Sequence, residues 1–302
     1  MHLHRLPLSL TVQAPAKLNL FFEVLAKRED GYHEIETLVY PIGLYDTLHF
    51  KDDPEGQIKL DCREGSGACG QQGSRRERLP QGADNLVVRA VELLRSRSGV
   101  RCGASLQLVK RIPAAAGLGG GSSDAAAALV AANAVWGLGW STVQLGRLGA
   151  ELGSDVPLFL TPGPAICRGR GEEVEPVGGL PPLHFVLIRP PGGLSTAAVY
   201  RACQPATNPQ SSAPLLQSLV QGDLARAGRL LFTRLEWAAE TLSPWIKRLR
   251  HELSRTDCLG YRMTGSGTCC FGLCRHARHA RRVARRLQAR GIGIAYAVQG
   301  CR

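Results

Sequence analysis

The chain has 302 residues, 44% of them hydrophobic, with 37 Lys and Arg against 25 Asp and Glu for a formal net charge of +12. That length buries a sizeable core in one large or two ordinary domains, and the composition excludes global disorder and a membrane-spanning run. The positive excess leaves two classes of partner, nucleic acid or an anionic small molecule. The N-terminal stretch carries Pro7 ahead of a strand-like segment and does not read as a secretory signal, so a cytoplasmic protein is expected.

Alternating apolar residues predict strands over Leu8–Val12 and Leu18–Leu25, then Thr37–Ile42 and Asp46–Phe50 around a turn at Gly43–Tyr45, then Gln57–Cys62. Arg63–Gly82 has no periodicity and is rich in Gly, Gln, Ser and Arg, which predicts an exposed loop. Asp84 or Asn85 can cap a helix reaching about Ser98, and Ala104–Lys110 is a strand. Helices are expected near Ser123–Trp136, Ser141–Leu152 and Val156–Leu160. Short strands follow at Ala165–Arg168, Val174–Pro176 and His184–Arg189, then helices at Leu215–Val220, Leu224–Phe232 and Pro244–Arg255. Strands Tyr261–Thr264 and Cys269–Leu273, a basic helix and strand Ile294–Gln299 complete the chain. Strand–helix alternation with antiparallel runs predicts an α+β fold.

In the basic helix, Ala277, Ala280, Ala284 and Leu287 recur at steps of three or four, leaving the arginines on the other face. No aromatics interleave with them as a single-strand platform needs, so a solvated basic face is expected and nucleic acid is not. The ten cysteines contain no Cys-x-x-Cys pair. Cys269, Cys270 and Cys274 share one strand, and the thiols are expected to be isolated and buried.

The segment from Pro113 to Asp124 carries the chemistry. Gly117, Gly119, Gly120 and Gly121, with Leu118 between, run through Ser122, Ser123 and Asp124 into an alanine-rich helix. Glycines let backbone N–H groups converge on an anion, and the helix adds its own free N–H groups and positive dipole end. A phosphate cradle is expected. No Lys follows the glycines as a Walker loop requires, and the position in the chain does not suit a dinucleotide-binding turn.

This loop resembles the ATP loop of the small-molecule kinases that include galactokinase, homoserine kinase, mevalonate kinase and phosphomevalonate kinase. Residues 14–20, Ala-Pro-Ala-Lys-Leu-Asn-Leu, resemble the first motif of that superfamily, and residues 263–269, Met-Thr-Gly-Ser-Gly-Thr-Cys, its third. Residues 28–35 and 153–160, with 85–87 and 194–200, are similar to one branch, the 4-diphosphocytidyl-2-C-methyl-D-erythritol kinases. The resemblance covers roughly residues 11–300. It implies a ribosomal-protein-S5-like N-terminal domain (1–165) and a ferredoxin-like C-terminal domain (166–302), with the active site in the cleft between them. It also implies ATP and Mg²⁺, and a CDP-linked sugar alcohol phosphorylated on its 2-hydroxyl for isoprenoid precursor synthesis.

The resemblance assigns residues as well. Asp155 is implied as the base that takes the hydroxyl proton, although its place before Pro157 by itself favours a helix cap or first-turn acid. Lys17 is implied beside it, keeping that carboxylate ionised and offsetting charge on the transferring group. Asn19, on the same strand face, would bond the substrate. Pro113, Gly117, Leu118, Gly119, Gly120, Gly121, Ser122 and Ser123 would hold the triphosphate, with Asn85, Leu86 and Lys110 near the adenine. Ser122 or Ser123 could reach Mg²⁺ or could cap the alanine helix, and Asp124 could cap the helix or place the metal. Tyr32, His33, Tyr200 and Thr196 would grip cytidine by stacking and base-edge contacts. The turn at Gly265–Thr268 is expected to shape the phosphate loop or touch phosphates through its N–H groups. The rivals are another kinase of the superfamily, of homoserine or mevalonate type, and a non-catalytic nucleic-acid-binding protein on this fold.

Overall fold

The structure is a computed structural model that describes residues 1–6, 9–65 and 82–301. Most of the expected 63–82 loop, with Cys69, lies outside the described residues. The elements in chain order begin with strands β1 (His2–Leu6), β2 (Ser9–Lys27), β3 (His33–Asp53) and β4 (Ile58–Glu64). Helix α1 (Leu86–Ser98) and strand β5 (Gly103–Lys110) lead to helices α2 (Gly120–Val135), α3 (Thr142–Leu152) and α4 (Val156–Leu160). Then come β6 (Ala165–Arg168), β7 (Glu173–Pro176), β8 (His184–Arg189), α5 (Thr196–Ala202), α6 (Ala213–Val220) and α7 (Leu224–Leu230). The last are β9 (Phe232–Thr233), α8 (Leu235–Leu242), α9 (Pro244–Ser254), β10 (Gly260–Met263), β11 (Cys270–Cys274), α10 (Ala277–Ala289) and β12 (Ile294–Gln299).

By their internal contacts the residues form two compact units: Met1–Ala16, Leu44–Pro113 and Gly119–Pro162 in the first, and Lys17–Gly43, Ala114–Leu118 and Gly163–Arg302 in the second. In the first unit, β5 pairs antiparallel with Thr47–Asp53 of β3 and parallel with β4, α1 being the connection between β4 and β5. Helices α1, α3 and α4 pack on α2. Local chemistry explains the helices. Asn85 caps α1 by accepting the Val87 N–H at 2.9 Å, and α1 ends at Gly99 in the left-handed region. Ser141 and Gln144 close a capping box on α3.

In the second unit an antiparallel sheet runs β10–β11–β8–β12, with α10 packed on it. Its core joins Val186, Ile188, Cys270 and Cys274 of the sheet to Ala280, Val283, Ala284 and Leu287 of α10 and to Leu249 and Leu253 of α9. The arginines of α10 at 278, 281, 282, 285 and 286 are all exposed, as the three- and four-residue spacing requires.

Three sequence expectations need correction. No turn divides β3 at Gly43: the strand runs continuously from His33 to Asp53, with Ile42 and Asp46 buried on either side of the half-buried Leu44. Likewise β2 is one strand through Pro15, without a break between Val12 and Leu18. The helix expected over 224–232 stops at Leu230, because Phe232 and Thr233 pair in parallel with Phe21 and Phe22. Helices α5 and α8 carried no expectation; each spans eight residues or fewer, too short for a clear periodic signal.

Candidate active site

Within the first unit, the glycine segment expected to cradle phosphate runs into the start of α2. Gly119 is its N-cap in the left-handed region (φ +70°), and Gly120, Gly121 and Ser122 are the first three helical residues. This overturns the capping reading of Ser122, Ser123 and Asp124, since the helix begins before all three. The first turn carries no acidic side chain to oppose an anion. A Cβ on Gly120 would lie 2.9 Å from Ile112 Cγ2 and 3.3 Å from Lys110 Nζ, so the backbone approaches its neighbours where no side chain fits. Leu86 borders Gly121, and Ser122 lies near Gly153. Ser122 is half-buried, whereas the Ser123 hydroxyl is fully enclosed and makes no hydrogen bond.

Behind the helix start is a buried charge cluster that the sequence reading missed. Lys110 Nζ donates to Asp46 and, at 2.5 Å, to Asp124 Oδ2. Asp46 also accepts the backbone N–H groups of Arg111 and Ile112, the latter at 2.8 Å. Burial alone would lower the Lys110 pKa, but the two carboxylates outweigh it and push it up to about 12. Complete burial pushes the Asp124 carboxyl up to about 8, and its Oδ1 has no hydrogen-bond partner. One lysine thus faces two carboxyls, one of which burial shifts toward its protonated form. The missed signal was parity: Asp46 stands on the inward face of β3 with Leu48 and Phe50. Lys110, expected near adenine, has its ammonium engaged in this cluster.

Asp155 sits at the N-cap position of α4, yet its side chain makes no capping hydrogen bond. The cap alternative is therefore not used. Asn85 keeps its carboxamide oxygen on the α1 cap.

In the second unit, Lys17 and Asn19 project from the same face of β2, both buried, with Lys17 Nζ donating to Asn19 Oδ1 at 2.6 Å. Asn19 Nδ2 donates to Thr37 Oγ1 at 2.9 Å, and Thr37 in turn donates to the Phe21 carbonyl at 2.6 Å. Asn19 thus spends both ends of its carboxamide orienting Lys17. The backbone N–H of Asn19 donates to Thr264 Oγ1 at 3.0 Å. Thr264 opens the second glycine turn, which backs the segment Ala114–Leu118. A Cβ on Gly117 (φ +75°) would collide with the Thr264 carbonyl oxygen, and the Cys269 N–H donates to the Ala116 carbonyl at 3.3 Å. This turn therefore shapes the first half of the glycine loop, one of its two expected roles.

Also in the second unit, His33 and Tyr200 lie ring to ring with centroids 5.1 Å apart, and Phe22 meets the Tyr200 ring edge-on at 6.5 Å. Burial, and then the charge of Lys27, lower the His33 pKa, so the imidazole is neutral near pH 7. Tyr32 is 52% exposed with the Arg170 guanidinium 4.8 Å above its ring, a cation–π contact the sequence reading did not include. Thr196, the first residue of α5, bonds Ser266 of the glycine turn at 2.9 Å.

Comparison with known proteins adds the decisive observation. Residues 85–163 match the GHMP kinases N terminal domain and residues 215–293 the GHMP kinases C terminal domain. A 4-diphosphocytidyl-2-C-methyl-D-erythritol kinase of Pelotomaculum thermopropionicum is 44% identical over 279 residues, covering 92% of this chain and 93% of its own. The chain belongs to the 4-diphosphocytidyl-2-C-methyl-D-erythritol kinase family. A crystal structure of a 4-(cytidine 5'-diphospho)-2C-methyl-D-erythritol kinase aligns with a TM-score of 0.77 at 36% identity, covering 97% of this chain and 99% of that one. A homoserine kinase from Cytophaga hutchinsonii shares the fold, with a TM-score of 0.74 at 19% identity over 98% and 96% of the two chains. As a member of this kinase family the chain is a small-molecule phosphotransferase with the α+β GHMP kinase fold. Among the described residues no helix is long and apolar enough to cross a membrane.

Proposed function

We propose that the chain transfers the γ-phosphoryl group of ATP to the 2-hydroxyl of 4-diphosphocytidyl-2-C-methyl-D-erythritol, acting in the cytoplasm on the route to isoprenoid precursors. The observation that carries this reading is the 44% identity over 92% of the chain to a relative named for that substrate. In family terms, residues 1–165 would form the nucleotide-side domain and 166–302 the substrate-side domain.

The residues fit a triphosphate. The N–H groups at the start of α2 have no acid among them, and glycines keep the approach open. Mg²⁺ binds largely through phosphate oxygens and water, needing few protein ligands. Ser122 can offer it a hydroxyl, whereas the enclosed Ser123 cannot. Bound there, the ion would supply charge neutralisation between the phosphates.

This chain's own residues do the rest. Asp155, free of the capping role, accepts the proton of the attacking hydroxyl. Lys17, held by Asn19, keeps a fixed positive charge for the transferring group, so that little reorganisation accompanies the reaction. His33 and Tyr200 offer paired rings to cytosine, Tyr32 adds an exposed aromatic face, and neutral His33 can bond the base edge. Asn85 and Leu86, beside the phosphate helix, border the adenine side.

The test is ADP release with Mg²⁺, ATP and the cytidine diphosphate substrate, for the unaltered chain and for Asp155→Asn. Substrate-dependent turnover that falls by at least ~100-fold in the variant supports the reading. Turnover with homoserine or mevalonate instead would overturn the substrate, and full activity of Asp155→Asn would overturn the base.

A further inference from the structure

Outside the residues assigned to phosphoryl transfer, one cluster of metal-ligating side chains stands in the second unit. The antiparallel register of β10 and β11 pairs Gly260 with Leu273, and the Leu259 N–H donates to the Leu273 carbonyl. Continuing that register sets Cys258 diagonally across from Cys274. Their sulfurs are 3.9 Å apart. These two thiols are therefore not isolated, contrary to the sequence expectation; the hairpin joins residues that the chain separates. Gly272 leaves the room, since a Cβ there would lie 2.7 Å from Cys258 Sγ.

His279, in the first turn of α10, completes the group: its ligating nitrogen and the two sulfurs all lie within 4.8 Å of one another. Cys274 and His279 are buried, and Cys258 is half-buried. The imidazole is already set for coordination. A backbone N–H can only donate, so Arg275 N–H at 3.2 Å identifies Nδ1 as the unprotonated nitrogen. Nε2–H then donates to Asp257 Oδ1 at 3.1 Å. A carboxylate behind a histidine is the usual outer support of a zinc-bound imidazole.

We propose that Cys258, Cys274 and His279 form a zinc site, with Asp257 as a positioning residue behind His279 and water in the fourth place. Tetrahedral zinc with Zn–S bonds of about 2.3 Å requires a sulfur–sulfur edge of about 3.8 Å, close to the separation already present. Two thiolates and an imidazole select zinc over the harder Mg²⁺. The two thiolates would neutralise the ion. On binding, Nδ1 exchanges its bond to Arg275 N–H for the metal, and two thiol protons leave to solvent. The ion would tie three segments together: the loop before β10, the end of β11 and the start of α10. It would do so at the open end of the hairpin whose closed end is the glycine turn.

Cobalt(II) titration of the full, reduced chain tests this without reference to kinase activity. One equivalent should produce the near-ultraviolet sulfur-to-cobalt charge-transfer band and tetrahedral visible bands, and zinc should abolish both. Cys258→Ser, at the half-exposed ligand, should lose the charge-transfer intensity while keeping its far-ultraviolet circular dichroism. Asp257→Asn should keep the bands but bind ~10–100-fold more weakly. Absence of the band, its persistence in Cys258→Ser, or a Cys258–Cys274 disulfide with no zinc in the protein as purified would each overturn the site. Unchanged affinity in Asp257→Asn would overturn the positioning role. Kinase results with the cytidine substrate would leave all these outcomes untouched.

Discussion

Replacing Asp124 with Asn probes the proton held inside the first unit. The structure encloses Asp124 with Lys110 and Asp46, leaves its Oδ1 unpartnered, and pushes its carboxyl up to about 8. Unfolded, the same carboxyl ionises near pH 4. Between these values the folded chain binds one more proton than the unfolded chain, so stability falls as pH rises. The slope is about 1.4 kcal/mol per pH unit for one proton. From pH 5 to pH 7 this single group removes about 2–3 kcal/mol, a large part of an ordinary domain's stability. Asn keeps an acceptor for Lys110 and has nothing to titrate. Urea midpoints measured from pH 5 to pH 8 for both proteins give the difference curve. Subtraction removes the opposing contributions of His33 and His184, whose pKa values burial lowers. Asp124→Asn should gain on the unaltered chain steadily across that range. Parallel curves would refute the retained proton and leave Lys110 facing two ionised carboxylates.

Gly117→Ala should destabilise the chain by at least ~1–3 kcal/mol, since it combines a left-handed backbone with a collision at the Thr264 carbonyl; denaturant midpoints would register the loss. His33→Ala and Tyr200→Ala should each raise KM for the cytidine substrate by ~2–12-fold with little change in kcat, the range expected from losing one aromatic contact. Glu23 is buried yet held below the usual carboxylate range, because Arg234 and the N–H groups of Gln210 and Val24 outweigh its desolvation. That stability is present above about pH 4.5 and is lost as pH falls through the lowered value. Glu23→Gln should cost about 2–3 kcal/mol at pH 7 and leave less to lose on acidification, measured by circular dichroism against pH.

Features set by neighbours in sequence were legible in advance. The Asn85 cap, the Ser141 start of α3 and the outward arginines of α10 all depend on residues within one or two turns. The start of α2 was misjudged for a local reason: glycine is a poor helix former, so Gly120 and Gly121 read as loop although their N–H groups face the helix entrance. What could not be read were contacts across long stretches of chain. Thr264 meets the backbone of Asn19 across 245 residues, and Asp46 meets Lys110 across 64. Asp46 belongs to no glycine-rich or aromatic signature, and the glycine turn that contains Thr264 gives no sign of its partner on β2. The motifs contained Thr264 and Asp124 without showing what they hold, and passed over Thr37 and Asp46; these residues hold Lys17 and the helix start in position. Arg170 escaped for a similar reason, because its partner Tyr32 lies 138 positions earlier in the sequence.

Helix α2 has almost no outward face. Nine of its sixteen residues, from Ser123 to Leu129 with Ala131 and Ala132, are buried, and most are alanines against which α1 and α4 pack closely. Such a helix cannot rock or retract without opening voids along its length. Its leading N–H groups are therefore fixed in direction when the unit folds, not when a nucleotide arrives. The conformational entropy of building an anion receptor is lost once, at folding, and binding need not lose it again. If the proposed phosphate role holds, the ligand meets a rigid surface there, and adaptation to the rest of it falls to other segments.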